Sequence, residues 1–257
     1  MRLTVLGSGT TTPHKFRASS GYWLETSMGS IMLDMSAPAF ARAAQENFDW
    51  ANLDAIWISH FHLDHVGGLA PFLFGTKYAI ETQNRIKPMR IFGPEGLNEL
   101  LKKFDSAYDY GIFEQPFPLE IIEVNSREKF EILPNVGADT FSTPHTAESL
   151  AIRIEDAGNN ALVYTSDTGF DERVGEFGQN ANLFLTEAAF VQKSPVNIHL
   201  AAPESFELIR IANPKRALLT HFYSEWDAVN FKAEIAKYQT PCEVLEAIDG
   251  LRLEITN

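Results

Sequence analysis

The sequence predicts a layered α/β sandwich. Three observations predict it. Short apolar runs of strand length recur along the whole chain. Helical stretches with one apolar face are interleaved with them. Some strands alternate apolar and polar residues, as in Ile152-Arg153-Ile154, while others are continuously apolar, which suits sheets with parallel and antiparallel parts and helices outside.

In chain order the strands are expected at 2–6, 22–26, 30–34, 55–58, 88–92, 119–124, 129–133, 137–141, 149–155, 161–166, 182–186, 216–220, 242–246 and 251–255. Helices are expected at 36–47, 67–80, 94–104, 171–178, 203–212 and 225–237. Gly93-Pro94 predicts a helix start with proline in the first turn. Asn213-Pro214 ends the helix before strand 216–220. Segment 105–118 carries four aromatics and no clean periodicity. It reads as a loop packed on the core by its own side chains, with a lid or a dimer contact as the alternative.

Composition narrows the function classes. The 257 residues carry a net charge of −13 and are 45% apolar, enough for a substantial core. That charge repels polyphosphates such as RNA, and no run of basic residues offsets it. No apolar run is long enough to span a membrane. Met1 to Gly7 reads as a first strand rather than a signal peptide. The single cysteine, Cys242, excludes an internal disulfide and a cysteine-rich zinc site. It fits a reducing cytoplasm and reads as a buried, inert thiol.

The chemistry lies in Ile58-Ser-His-Phe-His-Leu-Asp-His-Val-Gly-Gly-Leu69. Three of the chain's seven histidines, His60, His62 and His65, fall within six residues, with Asp64 between them. Imidazole and carboxylate suit zinc, manganese and iron. The cluster follows the apolar run Ala55 to Ile58, so a rigid strand supports it. His60 and His62 can turn toward one ion, and Asp64 and His65 can reach a second. His145, Asp167 and His221 each follow an expected strand and are further candidates. Singly, Asp167 could cap helix 171–178, and His145 or His221 could be hydrogen-bonded loop histidines. His14 reads as a surface loop residue.

The chain resembles the metallo-β-lactamase-fold hydrolases, the ribonuclease Z-like branch most closely. The matching runs are Leu6-Gly-Ser-Gly-Thr, Leu33-Asp34, Ser59 to Leu69, Ile91-Phe-Gly-Pro-Glu-Gly-Leu, Thr143-Pro-His-Thr, Ser166-Asp-Thr-Gly, Glu187-Ala-Ala-Phe and Leu219-Thr-His-Phe. The resemblance implies one domain over 1–257, a four-layer αββα sandwich, and two divalent ions between the sheets. Zinc is expected, with manganese or iron as alternatives. It implies one site of His60, His62 and His145, a second of Asp64, His65 and His221, and Asp167 bridging both. Asp34 would orient a ligand histidine or make a buried structural hydrogen bond. The histidine at 62 sets the chain apart from oxygen-reducing di-iron relatives, which carry glutamate there.

The implied reaction is hydrolysis by a metal-bridging hydroxide. Asp64 would also accept a proton from the nucleophile. Glu187 and His199 match the pair that assists the leaving group in ribonuclease Z-like enzymes. The surroundings depart from that pattern: Thr186 stands for histidine, Ala189 for threonine, and Leu200-Ala201 for a small polar pair. For His199 the alternative is a polar residue flanking a helix.

Spacing argues against tRNA as substrate. His145 and Asp167 are 22 residues apart, whereas the tRNA enzymes carry a long gripping arm there. The expectation is a small, anionic substrate, foremost a phosphodiester such as a cyclic nucleotide. A carboxylic ester or lactone is the second reading, and a non-catalytic metal-stabilised binding protein the third. The relatives imply a homodimer.

Overall fold

The computed structural model describes residues 1–256. Its first half builds one sheet. Strands β1 (Arg2–Gly7), β2 (Gly21–Thr26), β3 (Gly29–Met35), β4 (Ala55–Trp57), β5 (Met89–Pro94) and β6 (Leu119–Val124) lie side by side in chain order. β1 to β3 pair antiparallel and β3 to β6 parallel. The second sheet holds β7 (Lys129–Leu133), β8 (Val136–Ser142), β9 (Leu150–Asp156), β10 (Ala161–Tyr164), β11 (Leu183–Glu187), β12 (Arg216–Thr220) and β13 (Glu243–Glu246). It repeats the plan, antiparallel from β7 to β10 and parallel from β10 to β13. The last strand, β14 (Arg252–Glu254), returns to pair with β1.

Side-chain alternation explains the layering. Leu3, Val5, Tyr22, Leu24, Ile31, Leu33, Ala55 and Trp57 join one buried cluster with Ile152, Ile154, Leu162, Tyr164 and Leu185 of the second sheet. The intervening Trp23, Met32 and Ile56 face the other way. They meet helices α1 (Ala37–Gln45), α3 (Leu69–Tyr78) and α4 (Leu97–Ser106) through Ala39, Ala43, Phe72, Leu73 and Leu101. A period of two thus buries both faces of the first sheet. Beyond the second sheet lie α5 (Glu172–Phe177) and α6 (Ala202–Ala212), whose Val174, Leu208 and Ile209 join the same buried cluster from the other face of that sheet. Each fully buried large aliphatic side chain contributes roughly 1.5–3 kcal/mol over an exposed one.

Three helix expectations need correction. The helix expected over 67–80 is the shorter α3, and a separate α2 (Leu63–Val66) precedes it, with Gly67 and Gly68 as the joint. A Cβ on Gly68 would lie 2.7 Å from the Met35 carbonyl oxygen, so only glycine allows that approach. Pro94 does not start a helix: it ends β5 in register with Val124, and α4 begins after Gly96 at φ 96°. The stretch 225–237 is a 3₁₀ turn, Ser224–Ala228, and a separate α7 (Phe231–Ile235). Val229 is extended between them, and the Asn230 side chain accepts from Ala233 N at 3.0 Å to start α7 afresh.

Segment 105–118 is anchored by its own side chains. Ile112 and Phe117 are buried, and Gln115 Nε2 donates to Leu73 O and Ile112 O at 2.8 and 2.7 Å. Tyr108 and Tyr110 are exposed, Tyr110 beside Phe74 and Tyr108 beside Tyr110. Cys242 is half-buried rather than buried, and burial pushes its thiol up to about 11, so it stays a thiol at neutral pH. Among the described residues no helix is long and apolar enough to cross a membrane.

Candidate metal centre

The parallel strands of the two sheets end at one rim, and the polar residues follow them. β3 ends near Asp34, β4 leads to Ser59 and His60, β10 to Ser166 and Asp167, β11 closes on Glu187, and β12 leads to His221. The carboxyl ends of parallel strands are where α/β sheets offer crevices. Asp34, Ser166 and His221 have φ of 52°, 55° and 59°, left-handed values that side chains other than glycine adopt sparingly. Asp167 is not a helix cap: the side chain that accepts from α5 is Asp171.

All seven residues expected to ligate come together. Donor atoms of His60, His62, His145 and Asp167 lie within 4.8 Å of one another. Those of Asp64, His65, Asp167 and His221 form a second group, also within 4.8 Å, and Asp167 belongs to both. Asp167 Oδ2 is 3.8 Å from His60 Nε2, 3.7 Å from His145 Nε2 and 3.3 Å from His221 Nε2. Its Oδ1 is 3.3 Å from His65 Nε2. His62 faces His145 through Nδ1, with 3.0 Å between the ring nitrogens.

The rings are oriented from behind. His65 Nδ1 meets Asp34 Oδ2 at 2.7 Å, and a carboxylate oxygen can only accept, so Nδ1 carries the proton. The same logic holds for His145 Nδ1 on the Ile198 carbonyl at 2.9 Å. His60 Nδ1 meets Ser59 Oγ at 3.0 Å, and His221 Nδ1 meets Ser20 Oγ at 3.1 Å. Asp34 also accepts from Ser59 N (2.7 Å), Ser59 Oγ (2.8 Å) and the Tyr164 hydroxyl (2.7 Å). Ser166 Oγ donates to Ser59 Oγ at 2.6 Å. Sequence reading held Ser59 and Ser166 only as members of the matching runs, without a role, and did not single out Ser20 or Tyr164, isolated hydroxyl residues that carry no pattern.

This donor set fits divalent cations. The His60 and His65 Nε2 atoms are buried without a hydrogen-bond partner, a costly state for a polar atom unless something else binds it. Burial holds His60 well below the usual imidazole range and lowers His221 to about 4, so both keep a free lone pair. Burial also opposes charge on His65, but Asp167 and Asp34 outweigh it and raise that ring well above the usual range. The pocket therefore draws positive charge into itself.

A third group adjoins. His199 Nδ1 is 3.1 Å from Glu187 Oε1 and 4.0 Å from Asp167 Oδ2. Glu187 is fully buried and held by Thr168 N at 2.6 Å and Leu200 N at 3.2 Å. Burial pushes the Glu187 carboxyl up; it also opposes charge on His199, but Glu187 outweighs it and raises that ring to about 9. His199 does flank α6, two residues before the cap Ala201, and it also faces the centre. A cavity of about 320 Å³ opens over these groups, lined by Thr11, Leu63, Asp64, His199 and Tyr223 among others. His14 lies apart, its Nε2 2.6 Å from Asp227 Oδ2.

Comparison with known proteins agrees with this architecture. The family model described as anti-Pycsar protein Apyc1 matches residues 1–240. Ribonuclease Z of Ignicoccus hospitalis is 22% identical over 290 residues, covering 93% of this chain and 94% of the relative. The probable metallo-hydrolase YhfI of Bacillus subtilis is 26% identical over 229 residues, 86% of each chain. The crystal structure of YhfI, a metallo-β-lactamase fold protein, superimposes with a TM-score of 0.80 at 22% identity over 98% of both chains. A diphosphatase of the PhnP family gives a TM-score of 0.75 at 19% identity, over 99% of this chain and 97% of that one.

Proposed function

We propose that this chain, which belongs to the anti-Pycsar protein Apyc1 family and is a metallo-β-lactamase-fold metal-dependent hydrolase related to ribonuclease Z, cleaves a small phosphodiester such as a cyclic nucleotide. The Glu187–His199 pair, 3.1 Å apart and set against Asp167, carries this reading. An alkoxide leaving group needs a proton, and a ring raised to about 9 carries one at neutral pH. Glu187, pinned by two backbone N–H groups, orients that ring and keeps it charged.

His60, His62 and His145 would hold one cation, Asp64, His65 and His221 a second, with Asp167 shared. Zinc suits these donors, and manganese or iron are alternatives. Divalent cations supply, when bound, a water of lowered pKa and neutralisation of phosphoryl charge. The chain's own groups do the rest. Asp34 fixes the His65 ring, the Ile198 carbonyl fixes His145, and Asp64 accepts a proton at its carboxylate. Positive charge gathered in the cavity would suit an anionic substrate despite the net charge of −13.

The hairpin between His145 and Asp167 supports a small substrate. It holds only β9, a turn at 157–160 and β10, with no arm to grip tRNA. A homodimer is part of the same reading. An apolar groove of about 420 Å³ between α3 and α4, lined by Phe74, Phe104 and Tyr110, supports an association surface there. The single, half-buried cysteine suits a cytoplasmic setting.

The test is turnover of bis(p-nitrophenyl) phosphate with zinc or manganese, beside a panel of lactones and carboxylic esters. Metal-dependent phosphodiester cleavage is expected. Turnover of the lactones alone would replace this reading with the second one.

A further inference from the structure

One residue at the mouth of the cavity has no part in the metal groups or in the Glu187–His199 pair. Tyr223 lines the cavity together with Asp64, Asp167 and His199. It lies two residues beyond His221, where the chain leaves β12 and turns into the 3₁₀ segment at Ser224. Its backbone is tied on both sides: Tyr223 N donates to Ala189 O at 3.1 Å, and Trp226 N donates to Tyr223 O at 3.2 Å.

The ring is held as firmly as the backbone. Phe190 stacks on it with centroids 4.9 Å apart and planes 14° from parallel. The His199 and His221 rings stand nearly perpendicular to it, each with its centroid 6.5 Å away. One face of Tyr223 is therefore already covered by Phe190, which argues against a platform for stacking a base. The hydroxyl is what this arrangement offers. The cavity it lines also presents the Asp64 and Asp167 carboxylates. Ionised carboxylates cannot donate a hydrogen bond, so a phenol adds a donor to that wall. A rigid donor facing the place where charge develops costs no reorganisation during reaction.

We propose that the Tyr223 hydroxyl contacts the substrate, donating a hydrogen bond to a phosphoryl oxygen, and that Phe190 positions it. This rests on the phosphodiester reading of the same cavity. No proton is transferred in the step: the phenol stays intact and only donates. Tyr223 is thus a catalytic residue in the sense of touching the reacting group, and Phe190 acts through it.

The experiment compares zinc-loaded wild type, Tyr223→Phe, Phe190→Leu and the double variant, with metal content and Tm measured for each. Tyr223→Phe keeps the ring and its stacking and loses only the oxygen. It is expected to lower kcat for bis(p-nitrophenyl) phosphate roughly 10–100-fold, the scale of one hydrogen bond to a charged oxygen. Zinc content and Tm should stay at wild-type values. Phe190→Leu should lower kcat less, and should cost nothing further in the Tyr223→Phe background, because its only route is through the hydroxyl. Wild-type kcat and KM in Tyr223→Phe would overturn the proposal, as would full additivity of the two losses for the part assigned to Phe190. If the zinc-loaded wild type turns over no phosphodiester, binding of inorganic phosphate by calorimetry replaces turnover as the readout. Roughly tenfold weaker binding in Tyr223→Phe then supports the contact while the phosphodiester reading fails. Equal binding overturns the contact as well.

Discussion

The Tyr164 hydroxyl reaches from β10 in the second sheet to Asp34 Oδ2 at the end of β3 in the first, at 2.7 Å. Asp34 in turn holds His65 at 2.7 Å, so a residue of one sheet steadies a ring of the candidate metal centre carried by the other. Asp34→Asn is expected to weaken zinc binding roughly 10–100-fold, and Tyr164→Phe to weaken it less, because outer partners tune ligand basicity and orientation. Competition with a chromogenic chelator measures both. Unchanged affinity in Asp34→Asn would remove its orienting role.

Asp167 is the carboxylate common to both donor groups. Asp167→Ala should reduce hydrolysis to the level of the metal-stripped protein, and Asp64→Ala should do the same. Far-UV circular dichroism should show the fold retained, since neither side chain belongs to the apolar core. Near wild-type turnover in either variant would refute the assignment.

His199→Ala should act selectively. Across a series of aryl and alkyl phosphodiesters, the loss should be roughly 100-fold or more for alkyl leaving groups and small for nitrophenol, which leaves without a proton. An equal loss across the series would deny His199 an acid role.

Asp156 closes the turn between β9 and β10, accepting from Gly158 N (2.9 Å) and Asn160 N (3.0 Å) through Oδ1. Partial burial works against its charge, but the Asn160 and Gly158 contacts outweigh it and lower its pKa. A carboxyl lowered on folding stabilises above its unfolded pKa, and that contribution fades as pH falls through the folded value. Asp156→Ala should therefore cost about 1 kcal/mol at pH 7 in urea titrations with chelator present, the scale of a partly solvated contact. The gap between the two proteins should narrow as pH falls below the usual carboxyl range, through the lowered folded value. A gap independent of pH would point to packing instead.

Much of this was legible in the sequence because it is local. The strands of the first sheet show their period of two in Leu3, Val5, Tyr22 and Leu24, and the tetrad from His60 to His65 needs six consecutive residues. His145, Asp167 and His221 were candidates because each follows an expected strand, and their grouping with the tetrad came from the family resemblance. What could not be read depends on distant partners. Ser20 finds His221 and Tyr164 finds Asp34 across 201 and 130 residues. The helix misreadings have local causes of another kind. Pro94 satisfies a helix-start rule and is taken instead by pairing with β6, and Gly96 supplies the left-handed turn that α4 needs. The helix expected over 225–237 is broken where Val229 is extended and the Asn230 side chain starts α7 afresh.

Asp64 and three histidines come from the first half of the chain, whereas His145, Asp167 and His221 come from the second. Cations bound there would be a folding ligand shared by the two halves, and stability would be linked to free metal by mass action. At a hundred times its dissociation constant a single such ion adds about 2.7 kcal/mol, a sizeable part of the ~5–15 kcal/mol typical of a folded domain. The thermal midpoint of this protein should accordingly climb with the logarithm of free zinc, making metal supply a determinant of how much folded enzyme persists as well as how fast it turns over.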